Sequence, residues 1–149
     1  MDQGESCSRD RVCVIADGWI GTPFHDCARI KGAGTDCAQL LLCVFQEAGL
    51  IGDVNVGPYS PQWFLHQKEE RYLAWVRKFA GEIPLEQIRP ADIVIYKIGH
   101  VFAHGAIVVK PGWPHIIHAH AGGKVVRRGF GSSPHLGMAV QEMKFFSLW

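Results

Sequence analysis

Cys37 stands at a seam in the stretch GAGTDCAQLLLCVF, residues 32–45, where turn-forming residues give way to a continuous apolar run. The spacing predicts a helix starting there. Thr35 or Asp36 can cap it, because a short oxygen-bearing side chain accepts the orphaned N–H groups of a first turn. Cys37, Leu40, Leu41, Val44, Phe45 and Ala48 follow at the 3–4 spacing of one helical face, and Gly49 supplies a stop. In a first turn the free N–H groups and the macrodipole favour a negative charge, so the position is expected to lower the pKa of a thiol. The same position also suits a small residue that merely packs. Cys43, inside the apolar run, reads as a core residue.

Eight histidines accompany the cysteine, and His100, His104, His118 and His120 fall in β-rich segments. In VFAHGAIVV, alternation places His104 on the face of Phe102, Ala106 and Val108; in HIIHAHA it places Ile116, His118 and His120 on one face. An imidazole on an apolar strand face must be hydrogen-bonded or carry a function, since burying it unpaired is costly. The two segments are joined across KPGWP. Pairing them as neighbours brings His104 within reach of His118 or His120. A base oriented by a second polar side chain is the arrangement that activates a thiol. Zinc is the rival use of these rings, but the chain has no H-E-x-x-H or C-x-x-C spacing and no carboxylate within the cluster. No metal and no cofactor are expected.

The elements that would hold these residues divide by position. A helix is predicted over about 9–19, with Val12, Ile15 and Ala16 inward, and GTP at 21–23 breaks it. Residues 52–62 are rich in breakers and read as a loop; residues 68–81 read as helix, with Glu69 and Glu70 early and Arg77 and Lys78 late. Beyond Pro90 come five short β-rich segments, DIVIYKI, HVFAHGAIVV, HIIHAHA, KVVRRGF and MAVQEMKFF, separated by turn residues. Helices first and an antiparallel sheet after them predict an α+β domain. At 149 residues, one domain covering 1–149 is expected.

Composition narrows the partners. Hydrophobic residues at 48% and charged residues at 19% exclude a disordered chain, and a net charge of +1 provides no footprint for nucleic acid or an anionic membrane. No apolar run approaches the ~18 residues of a membrane span. The opening MDQGESCSRDRVC is polar where a signal peptide would be basic and then apolar. With five cysteines and no paired spacing, the chain is expected to be made in the cytoplasm with its thiols free.

Five stretches, in order, carry a resemblance: WIGTPF (19–24), GAGTDCAQLLL (32–42), PADIVIYKI (90–98), FAHGAIVV (102–109) and IIHAHAGGKVV (116–126). Together the chain resembles the NlpC family of cell-wall cysteine peptidases, particularly its phage and prophage branch. That resemblance implies a papain-like fold, with N-terminal helices packed on a C-terminal antiparallel sheet. It also implies hydrolysis of an amide bond in peptidoglycan stem peptides. By position, Cys37 is the nucleophile, His104 the general base and acid, and His118 the orienting third residue. His120 is the alternative third residue, because alternation puts it on the same face. Phe24, Asp36 and Gln39 are expected at the rim of the substrate site. Phe24 stands where the family commonly has tyrosine, and Gln39 where it has glycine. Those two departures favour a second reading, a structural phage tail or baseplate component with little catalysis. Association with a virion tail, and action on the cell wall, are expectations from the same resemblance.

Overall fold

A computed structural model of the chain describes residues 2–54, 70–132 and 136–149. The first helix, α1 (Gln3–Gly18), begins six residues earlier than its apolar pattern predicts. Asp2 is the reason: its side chain accepts the Glu5 N–H at 2.7 Å and caps a polar turn that periodicity could not reveal. A two-residue hairpin follows, β1 (Arg29–Ile30) with β2 (Gly34–Thr35), and leads into α2 (Cys37–Glu47). Asp36 is the N-cap of α2, and Gly49, at φ 77°, ends it in the left-handed conformation that glycine adopts without strain. α3 (Arg71–Val76) is only six residues long and dissolves into turns before Gly81. The start of the helix predicted over 68–81, and residues 55–62 of the predicted loop, lie outside the described residues.

All five predicted strands form: β4 (Ile93–Ile98), β5 (Val101–Val108), β6 (His115–His120), β7 (Val125–Phe130) and β8 (Val140–Ser147). A short β3 (Gly81–Ile83), which the sequence did not signal, joins them. The sheet is antiparallel, in the order β3-β8-β4-β5-β6-β7, so the last strand returns to lie beside β4. The fold is therefore α+β, as the order of segments predicts.

Alternation along β4 and β6 splits the core in two. Ile93, Ile95, Ile107, Ile117 and Phe146 face the helices and meet Leu40, Leu41, Val44 and Phe45 of α2 together with Val12 and Ala16 of α1. Burying each of the larger side chains contributes ~1.5–3 kcal/mol. On the other face Val94, Tyr96, Ala106, Val108 and Ile116 pack with Leu136 and Phe145. One buried ion pair ties α1 to the sheet: Arg9 Nη1 lies 2.8 Å from Oδ1 of the fully buried Asp92, and the guanidinium stacks over Trp149 at 4.2 Å. Removing one member of such a pair strands a buried charge, at a cost of about 3–5 kcal/mol. No helix among the described residues is long and apolar enough to cross a membrane.

Candidate active site

The site is built where the start of α2 meets the splayed ends of β5 and β6. Asp36 organises the helix end. Its Oδ1 accepts the N–H groups of Ala38 (3.1 Å) and Gln39 (2.9 Å), and its Oδ2 accepts that of Cys27 at 2.7 Å. Cys37 is the first residue of α2 and is half-buried. Its thiol donates to the Ala103 carbonyl at 3.5 Å, and its own carbonyl accepts the Tyr72 hydroxyl at 2.8 Å.

A lowered thiol pKa, expected from the helix start, is not what this environment produces. Burial pushes the Cys37 thiol up to about 12, and the adjacent Asp36 carboxylate adds to the rise. Asp36 draws on the Ala38 and Gln39 N–H groups, which weakens their pull on a thiolate, and it sets a negative charge beside the sulfur. The Gly105 N–H, the Tyr72 hydroxyl and the Ala38 N–H act in the opposite direction, favouring the thiolate.

A bulge in β5 shapes the opposing wall. Tyr96 pairs with His104 and Lys97 with Phe102, which leaves Ala103 as the extra residue. Its carbonyl is the one that receives the Cys37 thiol. The bulge also breaks the predicted alternation: Phe102 turns into the helix-side core, whereas Ala106 and Val108 belong to the other face.

His104 Nε2 lies 2.9 Å from His118 Nδ1, with the rings edge-on at 71° and 5.1 Å between centroids. His104 also stacks on Tyr96 at 5.7 Å, and the Tyr96 hydroxyl is anchored on the Gly131 carbonyl at 2.8 Å. Burial holds His104 well below the ordinary imidazole value, with His118 and His120 adding to the effect. Burial, then His120 and Arg127, bring His118 down to about 3. Both rings are therefore neutral near pH 7 and share one hydrogen. With His104 as donor through Nε2, its Nδ1 keeps a lone pair, the form a general base requires.

His120, the alternative partner, is otherwise engaged. Its Nδ1 accepts the Gly123 N–H at 2.7 Å and its ring also meets the Leu136 backbone, so it forms a wall 5.2 Å from His118. β5 and β6 pair at Ile107–Ile117 and Val108–Ile116. Continued at that register, His104 would face His120; the strands part first, and His118 takes the contact instead. His100, the remaining histidine of the group, is exposed in the β4–β5 turn. Among the described residues no group of three His, Cys, Asp or Glu side chains could hold a metal ion.

Cys37 and His104 open onto one cavity of about 300 Å³, lined also by Phe24, Asp26, Asp36, Tyr72, His120 and Met138. Phe24 and Asp36, two of the three residues expected at a substrate-site rim, line this cavity. Gln39 does not: it is 5% exposed and is not part of the lining. Two residues along a helix is a rotation of about 200°, so position 39 points away from the face that carries Cys37. Tyr72 went unnoticed in the sequence. It lies 35 residues from Cys37 in the chain, inside a helical pattern where an aromatic residue reads as core.

Comparison with known proteins rests on the fold alone. No family model matches the sequence, and no curated protein sequence matches it. Among solved structures, NlpC2 from Trichomonas vaginalis aligns with a TM-score of 0.65 and 15% identity over 91% of this chain and 45% of its own. The peptidoglycan hydrolase RipB from Mycobacterium tuberculosis aligns at 0.64 and 14% over 99% of this chain and 68% of its own. RipD from the same organism, a non-catalytic NlpC/p60 domain protein adapted to peptidoglycan binding, aligns at 0.63 and 16% over 95% and 98%. This chain spans under half the length of the two Trichomonas vaginalis proteins it matches, 42% and 45%. Its fold is that of NlpC/p60 domains.

Proposed function

We propose that this chain is a cysteine hydrolase of the NlpC type that cleaves an amide bond in peptidoglycan stem peptides. The observation that carries the reading is the pair His104–His118, joined at 2.9 Å through Nε2 and Nδ1 beside a cavity that also holds the Cys37 thiol. In this scheme His104 Nδ1 takes the thiol proton as sulfur attacks the amide carbonyl. The first N–H of α2, which has no acceptor within the helix, meets the developing oxyanion. The tetrahedral adduct collapses and the C–N bond breaks. His104 returns the proton to the leaving amine; water, deprotonated by His104, then displaces the acyl group from sulfur, and His104 passes that proton to the departing thiolate. His118 keeps the base in the required tautomer. A neutral resting pair means that proton transfer accompanies attack rather than preceding it.

Purified peptidoglycan supplies the test. Cys37→Ser and His104→Ala are expected to abolish release of stem-peptide fragments, read by mass spectrometry, while circular dichroism stays that of the parent. Full activity in either variant would sink the reading. The phage or prophage setting, with delivery by a tail, is supported by the motif resemblance alone; finding the chain in purified virions would bear on it directly. A second reading is a structural tail component that keeps the fold with little catalysis. The thiol pushed up to about 12 and Phe24 in the cavity wall favour it. It predicts no turnover by the parent protein.

A further inference from the structure

Tyr72 is 2% exposed, lies on α3 against β5, and lines the cavity with Cys37 and His104. Its hydroxyl donates to the Cys37 carbonyl at 2.8 Å. The residue after His104 makes room for it: a Cβ on Gly105 would come within 2.9 Å of the phenol ring carbon and closer still to the hydroxyl. A backbone without a side chain is thus required beside the base for the phenol to reach the nucleophile. Phe24, the other aromatic wall of the cavity, offers no donor.

We propose that Tyr72 is a positioning residue for the nucleophile: its hydroxyl pins the first peptide of α2 at rest and donates to the Cys37 sulfur as the thiol proton leaves for His104. The role rests on the hydrolase reading of the same site. Tyr72 keeps its own proton throughout, so the proton ledger of the reaction is unchanged. A donor aimed at sulfur favours the thiolate over the thiol, which is the sense in which the Tyr72 hydroxyl acts on Cys37. Among the described residues, the other ionisable groups lining the cavity are Asp36 at the helix cap, Asp26 in the preceding loop, His104 on β5 and His120 on β6. Asp36 works against the thiolate, and the neutral His104 is the group that receives its proton. Glu70, just before α3, is turned to the Phe102 N–H at 3.1 Å.

Iodoacetamide labelling of each cysteine against pH, resolved by peptide mass spectrometry, tests the role without any substrate. Tyr72→Phe is expected to slow Cys37 labelling about tenfold at every pH below the thiol's own value, the equivalent of about one pH unit. The exposed Cys7 serves as the control whose profile stays put. A Tyr72→Phe profile superposed on the parent overturns the positioning role, whichever way His104→Ala falls. Parent labelling that is indifferent to His104→Ala counts instead against the hydrolase reading. Should Tyr72→Phe fail to fold, 3-fluorotyrosine at position 72 keeps the packing and strengthens the donor. It is expected to speed Cys37 labelling, and an unchanged rate overturns the role.

Discussion

His118 and His120 differ by two positions and share a strand face, yet their environments assign them different work. His118 meets His104 at 2.9 Å, whereas His120 receives the Gly123 N–H at 2.7 Å and lines the cavity wall. In the proposed scheme His118 orients the base, and so acts on its tautomer rather than on the substrate. His118→Ala is therefore expected to lower kcat by about 10²-fold or more with KM little changed. His120→Ala is expected to change KM more than kcat, because it alters a wall. Steady-state kinetics on a soluble stem peptide distinguishes the two, and an equal kcat loss at both positions would contradict the assignment.

The start of α2 sets two demands against each other. As a cap, Asp36 answers three N–H groups and anchors the loop through Cys27. As a charge, it opposes the thiolate that the proposed reaction would form. Asp36→Asn separates them, since the amide oxygen still caps but the charge is gone. The variant is expected to speed Cys37 labelling while costing about 0.5–2 kcal/mol of stability from the weaker cap and the lost Cys27 contact. Labelling and chemical denaturation of the same sample check both halves. The bulge in β5 is the complementary device on the sheet side, because it turns the Ala103 carbonyl out of the ladder and toward the sulfur.

Across the molecule, the buried histidines tie stability to pH. Both His104 and His118 are held below the ordinary imidazole value in the folded chain. The unfolded chain takes up their protons near pH 6.5, and the folded chain does not. Unfolding therefore binds protons below that value. Their contribution is fully present above pH 6.5 and is lost as pH falls toward about 3, where His118 protonates in the folded state. The slope approaches about 1.4 kcal/mol per pH unit for each ring. Calorimetry between pH 7.5 and 4.5 is expected to show Tm falling from about pH 6.5 downward, and His118→Gln is expected to flatten the fall. A Tm constant down to pH 5 would contradict neutral burial.

Local pattern carried much of this protein. The apolar spacing after Cys37, the capping Asp36 and the five alternating segments specify α2 and five strands, because each is set by neighbours within a few residues. They also nominate the cysteine and the histidines. What they could not settle depends on partners far along the chain. The thiol's pKa turns on burial and on how Asp36 spends its oxygens, not on the helix start alone. The choice of His118 over His120 follows from where β5 and β6 part, and the turning of Phe102 from a bulge against β4. Gln39 lies on the buried side of α2, and Tyr72 reaches Cys37 across 35 residues of chain only because Gly105 leaves space. Each is a matter of packing in three dimensions, where a periodic pattern holds no information.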